Sequence, residues 1–165
     1  MNLLVPVSGS KASMAGVRHA ATVLRDGKGE AILVNVQPRL TSHAARFTSA
    51  ASRDALRAER SARALAAARS LFDAAGIRYR VVAAAGPVAR TVADLAARLH
   101  ADQIVIGATR RAGWWQALFS PVPRIIDLAS VPVAVVGNGR SGAFERFGVP
   151  AAVGLGLTAL VISAE

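Results

Sequence analysis

The chain has 165 residues, a length typical of one domain with a sizeable hydrophobic core. It contains no cysteine, which excludes a disulfide framework and thiolate chemistry. The formal net charge of +10 would allow binding to nucleic acid or anionic lipid. However, no aromatic residues interleave with the basic ones, and no helix-turn-helix or RNA-binding signature is present. We therefore expect a solvated, arginine-rich surface and no specific nucleic-acid partner.

Strand and helix patterns alternate from the N-terminus onward. Leu3–Val7 is a short apolar run typical of a strand buried on both faces, and the turn Ser8-Gly9-Ser10 starts a helix. Asp26–Gly29 ends that helix, and Ala31–Val36 predicts a second buried strand. Residues 37–49 hold no clear pattern and predict a loop. The N-terminus lacks the pattern of a signal peptide, so we expect a cytoplasmic protein.

The alternation continues through the rest of the chain. Gly76 ends a long alanine- and arginine-rich helix, and the proline of Gly86-Pro87 suits the start of the next helix. The sequence predicts a helix over Ser52–Ala75, a strand over Ile77–Ala83, a helix over Val88–Leu99 and a strand over Gln103–Gly107. A short helix over Val122–Ala129 and a last strand over Val131–Val136 follow.

This order of elements predicts an α/β fold with right-handed crossovers. We expect a doubly wound, Rossmann-like, five-stranded parallel sheet of order 3-2-1-4-5, with helices on both faces. The chain reverses direction between strands 1 and 4 of such a sheet, and ligands bind at that switch point beyond the carboxyl ends of the strands. Residues 6–10 and 107–120 meet there.

The composition changes after residue 137. Residues 1–137 predict the domain, the glycine-rich residues 138–147 a linker, and residues 148–165 an apolar C-terminal tail. Residues 148–163 carry no charge but fall short of the about 20 residues that a membrane-spanning helix needs. Packing on the domain or a partner copy, membrane contact and disorder all stay open for this tail.

Three segments, LLVPVSGS, ADQIVIGA and SVPVAVV, together with the order of elements, resemble the universal stress protein family over about residues 2–136. The resemblance implies a non-enzymatic stress-response or regulatory protein that forms a homodimer through its last strand, here Val131–Val136. ATP-binding members carry a loop of the pattern G-x-x-G, nine residues, then G-[S/T]. On this sequence the pattern keeps Gly107 but falls on Arg110, Ser120 and Pro121.

The resemblance also implies the positions of a nucleotide site: Pro6, Val7, Ser8, Val36, Gly107, Arg110, Ser120, Pro121 and Val122. Members that bind ATP usually have an aspartate at the position of Ser8. Arg110 brings a long side chain to the point where the backbone approaches the phosphates, and Pro121 has neither an N–H nor a hydroxyl. We therefore predict a degenerate site that does not bind ATP in the family's usual manner, and no cofactor.

Two alternatives stay open for this cleft. Arg110 and Arg111 can replace the lost backbone donors with charged ones and, with the Ser8 turn, hold ATP or another anionic nucleotide. Residues 8–13 also keep part of the SGGxDS loop of the ATP pyrophosphatase families. An enzyme of that kind is the remote alternative, because the downstream catalytic elements are absent from the sequence.

The remaining residues of note are aromatic or imidazole side chains. Trp114 and Trp115 lie in the loop over the expected cleft, where they predict either a lid or partner-binding patch, or side chains that fill the phosphate site. His19, His43 and His100 have no partner at metal-ligand spacing, so we expect surface or helix-end residues and no metal site.

Overall fold

The computed structural model describes residues 1–38, 50–108, 120–137 and 145–147. The strands within this part of the chain are β1 (Asn2–Pro6), β2 (Glu30–Gln37), β3 (Tyr79–Ala85), β4 (Gln103–Ala108), β5 (Val133–Gly137) and β6 (Glu145–Phe147). The helices are α1 (Lys11–Val23), α2 (Ala50–Ala74), α3 (Val88–Arg98) and α4 (Val122–Leu128).

The strands form one sheet of order β3-β2-β1-β4-β5-β6. The first five strands pair in parallel, and β1 lies at the centre, where Leu4 is level with Ile32 of β2 on one side and Ile104 of β4 on the other. The predicted five-stranded parallel sheet of order 3-2-1-4-5 is confirmed. β6 adds a sixth strand, antiparallel to β5, from within the predicted linker.

Helices pack on both faces of the sheet and bury two apolar layers. The layer under α1 and α2 contains Leu3, Val5, Leu33, Val105, Val17, Leu65 and Phe72. The opposite layer, under α3 and α4, contains Leu4, Ile32, Ile104, Val92, Leu95 and Ile125. Successive side chains of a strand point to opposite faces, so a strand covered on both sides is an unbroken apolar run. This explains why the predicted central strands carry no polar alternation.

The end of α2 sets where β3 begins. Gly76 has a φ of +63°, its N–H donates to the carbonyl of Asp73, and the Ile77 N–H donates to the carbonyl of Phe72. These bonds form a Schellman motif, which commonly pairs a buried residue after the glycine with one in the last helical turn. Ile77 and Phe72 lie in the same core cluster. Ile77 therefore belongs to the helix cap, and the strand predicted from Ile77 starts instead at Tyr79.

The end of α3 uses the same motif with a less suitable residue. His100 has a φ of +50°, its N–H donates to the carbonyl of Ala97, and the Ala101 N–H donates to that of Ala96. His100 thus stands at a left-handed position where glycine is the usual residue. The side chain is exposed at the helix end, as predicted.

We predict that His100→Gly stabilises the protein. Removing the Cβ relieves the left-handed conformation, so the free energy of unfolding should rise by about 1 kcal/mol in a urea titration. His100→Ala is the matched control, because alanine removes the imidazole but keeps the Cβ, and it should give no such gain. Equal gains in both variants would mean that loss of the imidazole, and not relief of the backbone, is responsible.

Candidate functional site

The carboxyl edge of the sheet begins where β1 ends. The N–H of Val7 donates to the carbonyl of Val34 at 2.8 Å, and the Nδ2 of Asn35 donates to the Val7 carbonyl at 2.7 Å. The Oδ1 of Asn35 accepts from Nε2 of Gln37 at 2.7 Å. Asn35 is 3% exposed, and a carbonyl buried beside it needs a hydrogen-bond partner. The Asn35 side-chain amide provides that partner for the Val7 carbonyl, at the point where the chain leaves the sheet. The signal for this role was a single polar residue within the buried strand AILVNV.

The turn after Val7 leads directly into α1. Gly9 has a φ of +78°, and a Cβ there would lie 3.2 Å from the Cα of Ala64 on α2. The Ser10 hydroxyl caps α1 by accepting from the Ser13 N–H at 3.2 Å, and the Ser13 hydroxyl donates to the Ser10 carbonyl at 2.9 Å. The exposed Ser8 hydroxyl is 3.0 Å from that of Ser10. The serine-rich segment therefore forms a capped helix start.

Gly107 lies at the end of β4, directly under α1. A Cβ on Gly107 would overlap the carbonyl group of Ala12 and come within 2.9 Å of the Gly16 nitrogen. A Cβ on Gly16 would lie 2.8 Å from the Gly107 nitrogen. No residue larger than glycine fits either position without movement of backbone. The glycine that the loop pattern keeps is thus required by the packing of α1 on β4.

The structure describes some of the other predicted site residues, and these lie on the same carboxyl edge of the sheet. Pro6 and Val36 are half-buried at the ends of β1 and β2. The structure brings these together with Ser8 and Gly107, because β1 pairs with both β2 and β4. Arg110 lies outside the described residues.

Ser120, Pro121 and Val122 form the start of α4. The Ser120 hydroxyl accepts from the Val122 N–H at 3.3 Å, and the Pro121 carbonyl accepts from the Ile125 N–H at 2.9 Å. Pro121 stands immediately before the helix, where its missing N–H costs nothing. Arg111, Trp114 and Trp115, which lead up to this helix, fall outside the described residues, as do His43 and the 148–163 tail.

The N-terminal part of α2 extends beyond this edge. α2 connects the end of β2 to the start of β3, so its first turns lie on the carboxyl side of the sheet. Its buried face begins at Ser61, and Ala64 contacts Gly9. Most of residues 51–60 are exposed. The overhang contains Arg53, Arg57 and Arg60.

Arg57 differs from the other arginines of the overhang. It lies two turns before Ala64 on the same face of α2, about 10 Å along the helix axis. Its Nη1 donates to Asp54 at 3.0 Å, while its buried Nε has no hydrogen-bond partner among the described residues. Arg60 and Arg63 are exposed, in agreement with the predicted solvated face, and Arg63 pairs with Glu59.

Two kinds of feature are relevant to the described ranges, metal-ligating groups of side chains and membrane-spanning helices. These ranges contain no group of three or more histidine or acidic side chains placed to hold a metal ion. His19 is half-buried on α1, and burial lowers the pKa of its imidazole, which favours the neutral form. None of the helices in these ranges is both long and apolar enough to cross a bilayer.

A polar cavity of about 320 Å³ lies at the opposite, amino edge of the sheet, lined by Met1, Asn2, Lys28, Gly29, Glu30 and Arg78. Several of its polar groups bond within the fold. The amino group of Met1 donates to the Lys28 carbonyl at 3.2 Å, and Glu30 pairs with Arg80 at 3.6 Å. These contacts hold the N-terminus against the amino edge of the sheet. They involve no residue of the switch point at the carboxyl edge.

Comparison with known proteins agrees with the topology. A model described as the universal stress protein family matches residues 1–137. A protein of that family from Burkholderia pseudomallei is 20% identical with a TM-score of 0.63, over 82% of this chain and 94% of that one. An AMP-bound family protein from Arabidopsis thaliana is 13% identical with a TM-score of 0.64, over 85% and 93%. A universal stress protein in complex with cAMP is 19% identical with a TM-score of 0.64, over 82% and 96%. No curated protein matches this chain.

We predict that Gly107→Ala destabilises the fold through overlap with α1, by about 2 kcal/mol or more in a denaturant titration. Gly27→Ala is the control. Gly27 has a φ of +74°, and a Cβ added there would have no atom within 4 Å, so this variant loses only about 1 kcal/mol through its left-handed backbone. Wild-type stability in Gly107→Ala would show that α1 does not need the glycine.

Proposed function

This chain belongs to the universal stress protein family, and we propose that it is a non-enzymatic stress-response or regulatory member that does not bind ATP in the family's usual manner. The observation that carries the proposal is the contact between α1 and β4. Gly107 is the one position of the loop pattern that the sequence keeps, and the packing against Ala12 and Gly16 requires a glycine there in any case. Its presence is therefore no evidence for a phosphate site.

The start of α4 supports the same proposal. A phosphate loop presents free backbone N–H groups to anionic oxygens. Here Pro121 has no N–H to offer, and the N–H of Val122 is bonded to the Ser120 hydroxyl. On the opposite wall, Ser8 stands where ATP-binding members usually have an aspartate, and its hydroxyl is paired with that of Ser10.

The described polar groups of this edge also favour a protein without catalysis. Among them, the hydroxyls of Ser8, Ser10 and Ser13 and the amides of Asn35 and Gln37 bond to one another and to the backbone. A nucleophilic hydroxyl needs a base such as histidine or a carboxylate within hydrogen-bond reach. None of the hydrogen bonds that these serines make in the described structure goes to such a group.

Isothermal titration with Mg²⁺–ATP tests the proposal. We expect no saturable heat from the wild-type chain at micromolar concentrations. A variant that restores the pattern, Ser8→Asp with Arg110→Gly, Ser120→Gly and Pro121→Ser, should gain binding, because it returns both the acidic group and the backbone donors. Pro121→Ser alone is the control and should gain little.

Low-micromolar binding of ATP by the wild-type chain would contradict the proposal. Circular dichroism of each variant establishes that the fold is kept, since Ser120 and Pro121 also start α4. If the variant with the restored pattern keeps its fold but does not bind ATP, other positions of the cleft exclude ATP. The titration of the wild-type chain would then be the test of the proposal.

A second candidate function is the binding of a nucleotide with a single phosphate in the same cleft. Two related structures hold cAMP and AMP. In this chain the observation in favour is Arg57, whose buried Nε lacks a partner among the described residues and whose helix face is the one that contacts Gly9 two turns later. A guanidinium binds phosphate well and needs no glycine loop.

If this candidate is correct, Arg57→Gln should weaken AMP binding about 10-fold in equilibrium dialysis, since a charge-assisted hydrogen bond to phosphate contributes about 1.5–3 kcal/mol. Arg63→Gln is the matched control, because Arg63 lies on the same helix but is exposed and paired with Glu59. Failure of the wild-type chain to bind AMP, or an equal loss in both variants, would rule this candidate out.

A further inference from the structure

The polar cavity at the amino edge of the sheet has no part in the proposed function. Its volume of about 320 Å³ is at the lower end of the about 300–1,000 Å³ typical of small-molecule sites. It lies where the turn after α1 meets the N-terminus and the residue before β3. Small-molecule sites usually have mainly apolar walls, whereas the walls of this cavity are polar, which suits a small hydrophilic ligand.

Most of the charged groups in the cavity wall are cations. The wall contains the Met1 amino group, Lys28, Arg78 and one carboxylate, that of Glu30. Glu30 is already paired with Arg80 at 3.6 Å. Lys28 and Arg78 have no acidic ion-pair partner among the residues that the structure describes. The wall therefore has a surplus of positive charge, which favours an anion.

Two further carboxylates lie near the wall but do not line the cavity. Asp26 accepts from the backbone N–H of Lys28 at 3.2 Å. Asp102 accepts from the Asn2 N–H at 2.6 Å and lies 4.0 Å from the Met1 amino group. Both carboxylates are thus engaged by the backbone or the N-terminus, and neither pairs with the side chains of Lys28 or Arg78.

The turn after α1 leaves hydrogen-bond donors available at the cavity. Nη2 of Arg78 donates to the Gly27 carbonyl at 3.5 Å, a long bond that leaves most of the five guanidinium donors unused. Gly29 is buried in the wall, and its N–H has no hydrogen-bond partner within the described ranges. About 90% or more of buried backbone N–H groups have a partner. The free N–H of Gly29 therefore indicates that the cavity receives an acceptor.

We propose that this cavity binds a phosphate group, held by the Arg78 guanidinium, the Lys28 ammonium and the Gly29 N–H. Charged side chains and backbone N–H groups are the donors that phosphate sites use. The phosphate is either free or the end of a small phosphate ester. The cavity is at the opposite edge of the sheet from Gly107, so this proposal stands or falls separately from the proposed function.

Titration of the isotope-labelled full chain with inorganic phosphate tests the site through the amide resonance of Gly29. We expect a saturable shift of that resonance at about millimolar phosphate, because exposed cations in an open cavity are screened by salt and bind weakly. Sodium chloride at the same ionic strength is the control and should give no saturable shift. Absence of saturation at Gly29, or an equal response to chloride, would overturn the proposal.

Arg78→Gln should weaken phosphate binding about tenfold in the same titration, since it removes a charge-assisted hydrogen bond. Arg90→Gln is the matched control. It removes the same charge from an exposed position in the first turn of α3, which follows the carboxyl end of β3, and it should leave the affinity unchanged. An equal loss in both variants would show a response to net charge only, which contradicts a site at Arg78.

Glu30→Gln gives a test that loss of folding cannot imitate, because the expected effect is a gain. The variant removes the carboxylate from the wall and releases Arg80, so phosphate should bind about threefold more tightly. Unchanged or weaker binding by a variant with the circular dichroism of the wild type would contradict the proposal.

Glycerol 3-phosphate distinguishes the two sources of the phosphate group. Either compound should shift the Gly29 resonance and displace the other. Tighter binding of glycerol 3-phosphate assigns the site to a small phosphate ester, and tighter binding of inorganic phosphate assigns it to the free ion. Failure of both to saturate the Gly29 shift overturns the proposal.

Discussion

The backbone contact between α1 and β4 is the constraint on which the rest of this edge depends. Gly16 and Gly107 lie so close that neither position has room for a Cβ. The contact lets α1 lie directly on the strand next to β1, so that Val17 and Ala20 reach the core under the sheet. It also fixes the short turn at Gly9, because the chain must leave β1, reverse and start a helix within a few residues. Asn35 completes the arrangement by bonding the Val7 carbonyl.

This constraint changes what a glycine in a phosphate-loop pattern means. A glycine can be required because a ligand approaches the backbone, or because another part of the protein does. The sequence shows a glycine in both cases and does not distinguish the two causes. At Gly107 the overlap with Ala12 is sufficient by itself. The serines of the 8–13 segment are a similar case, because the bonds of Ser10 and Ser13 are those of an ordinary helix cap.

Much of the fold was predictable because it follows from local patterns. Apolar runs marked the five parallel strands, and their alternation with helices determined the order and the cover on both faces. Two features of the structure were not predicted, the helix cap at Ile77 and the strand β6. Ile77 fits a strand pattern, but its N–H closes the cap of α2 and its side chain joins Phe72. β6 is too short to show a period and forms only against β5.

The candidate site was predictable to a smaller extent. The sequence placed Pro6, Ser8 and Gly107 at one edge, since the carboxyl ends of neighbouring parallel strands meet there. It marked Asn35 only as a polar residue in a buried strand and not its remote partner Val7, and it gave no sign of Arg57, whose position depends on how far α2 extends past the sheet. The degenerate character of the loop at Arg110 stays a prediction.

Gly107 serves the packing of α1 on β4, and we propose that the edge around it does not receive ATP. Amide chemical shifts of the isotope-labelled full chain during titration with Mg²⁺–ATP test it most directly, because they report on Gly9, Ser8 and Gly107 individually. We expect these resonances to stay in place at micromolar concentrations of ATP. Saturable shifts centred on Ser8 and Gly107 at those concentrations would contradict the claim.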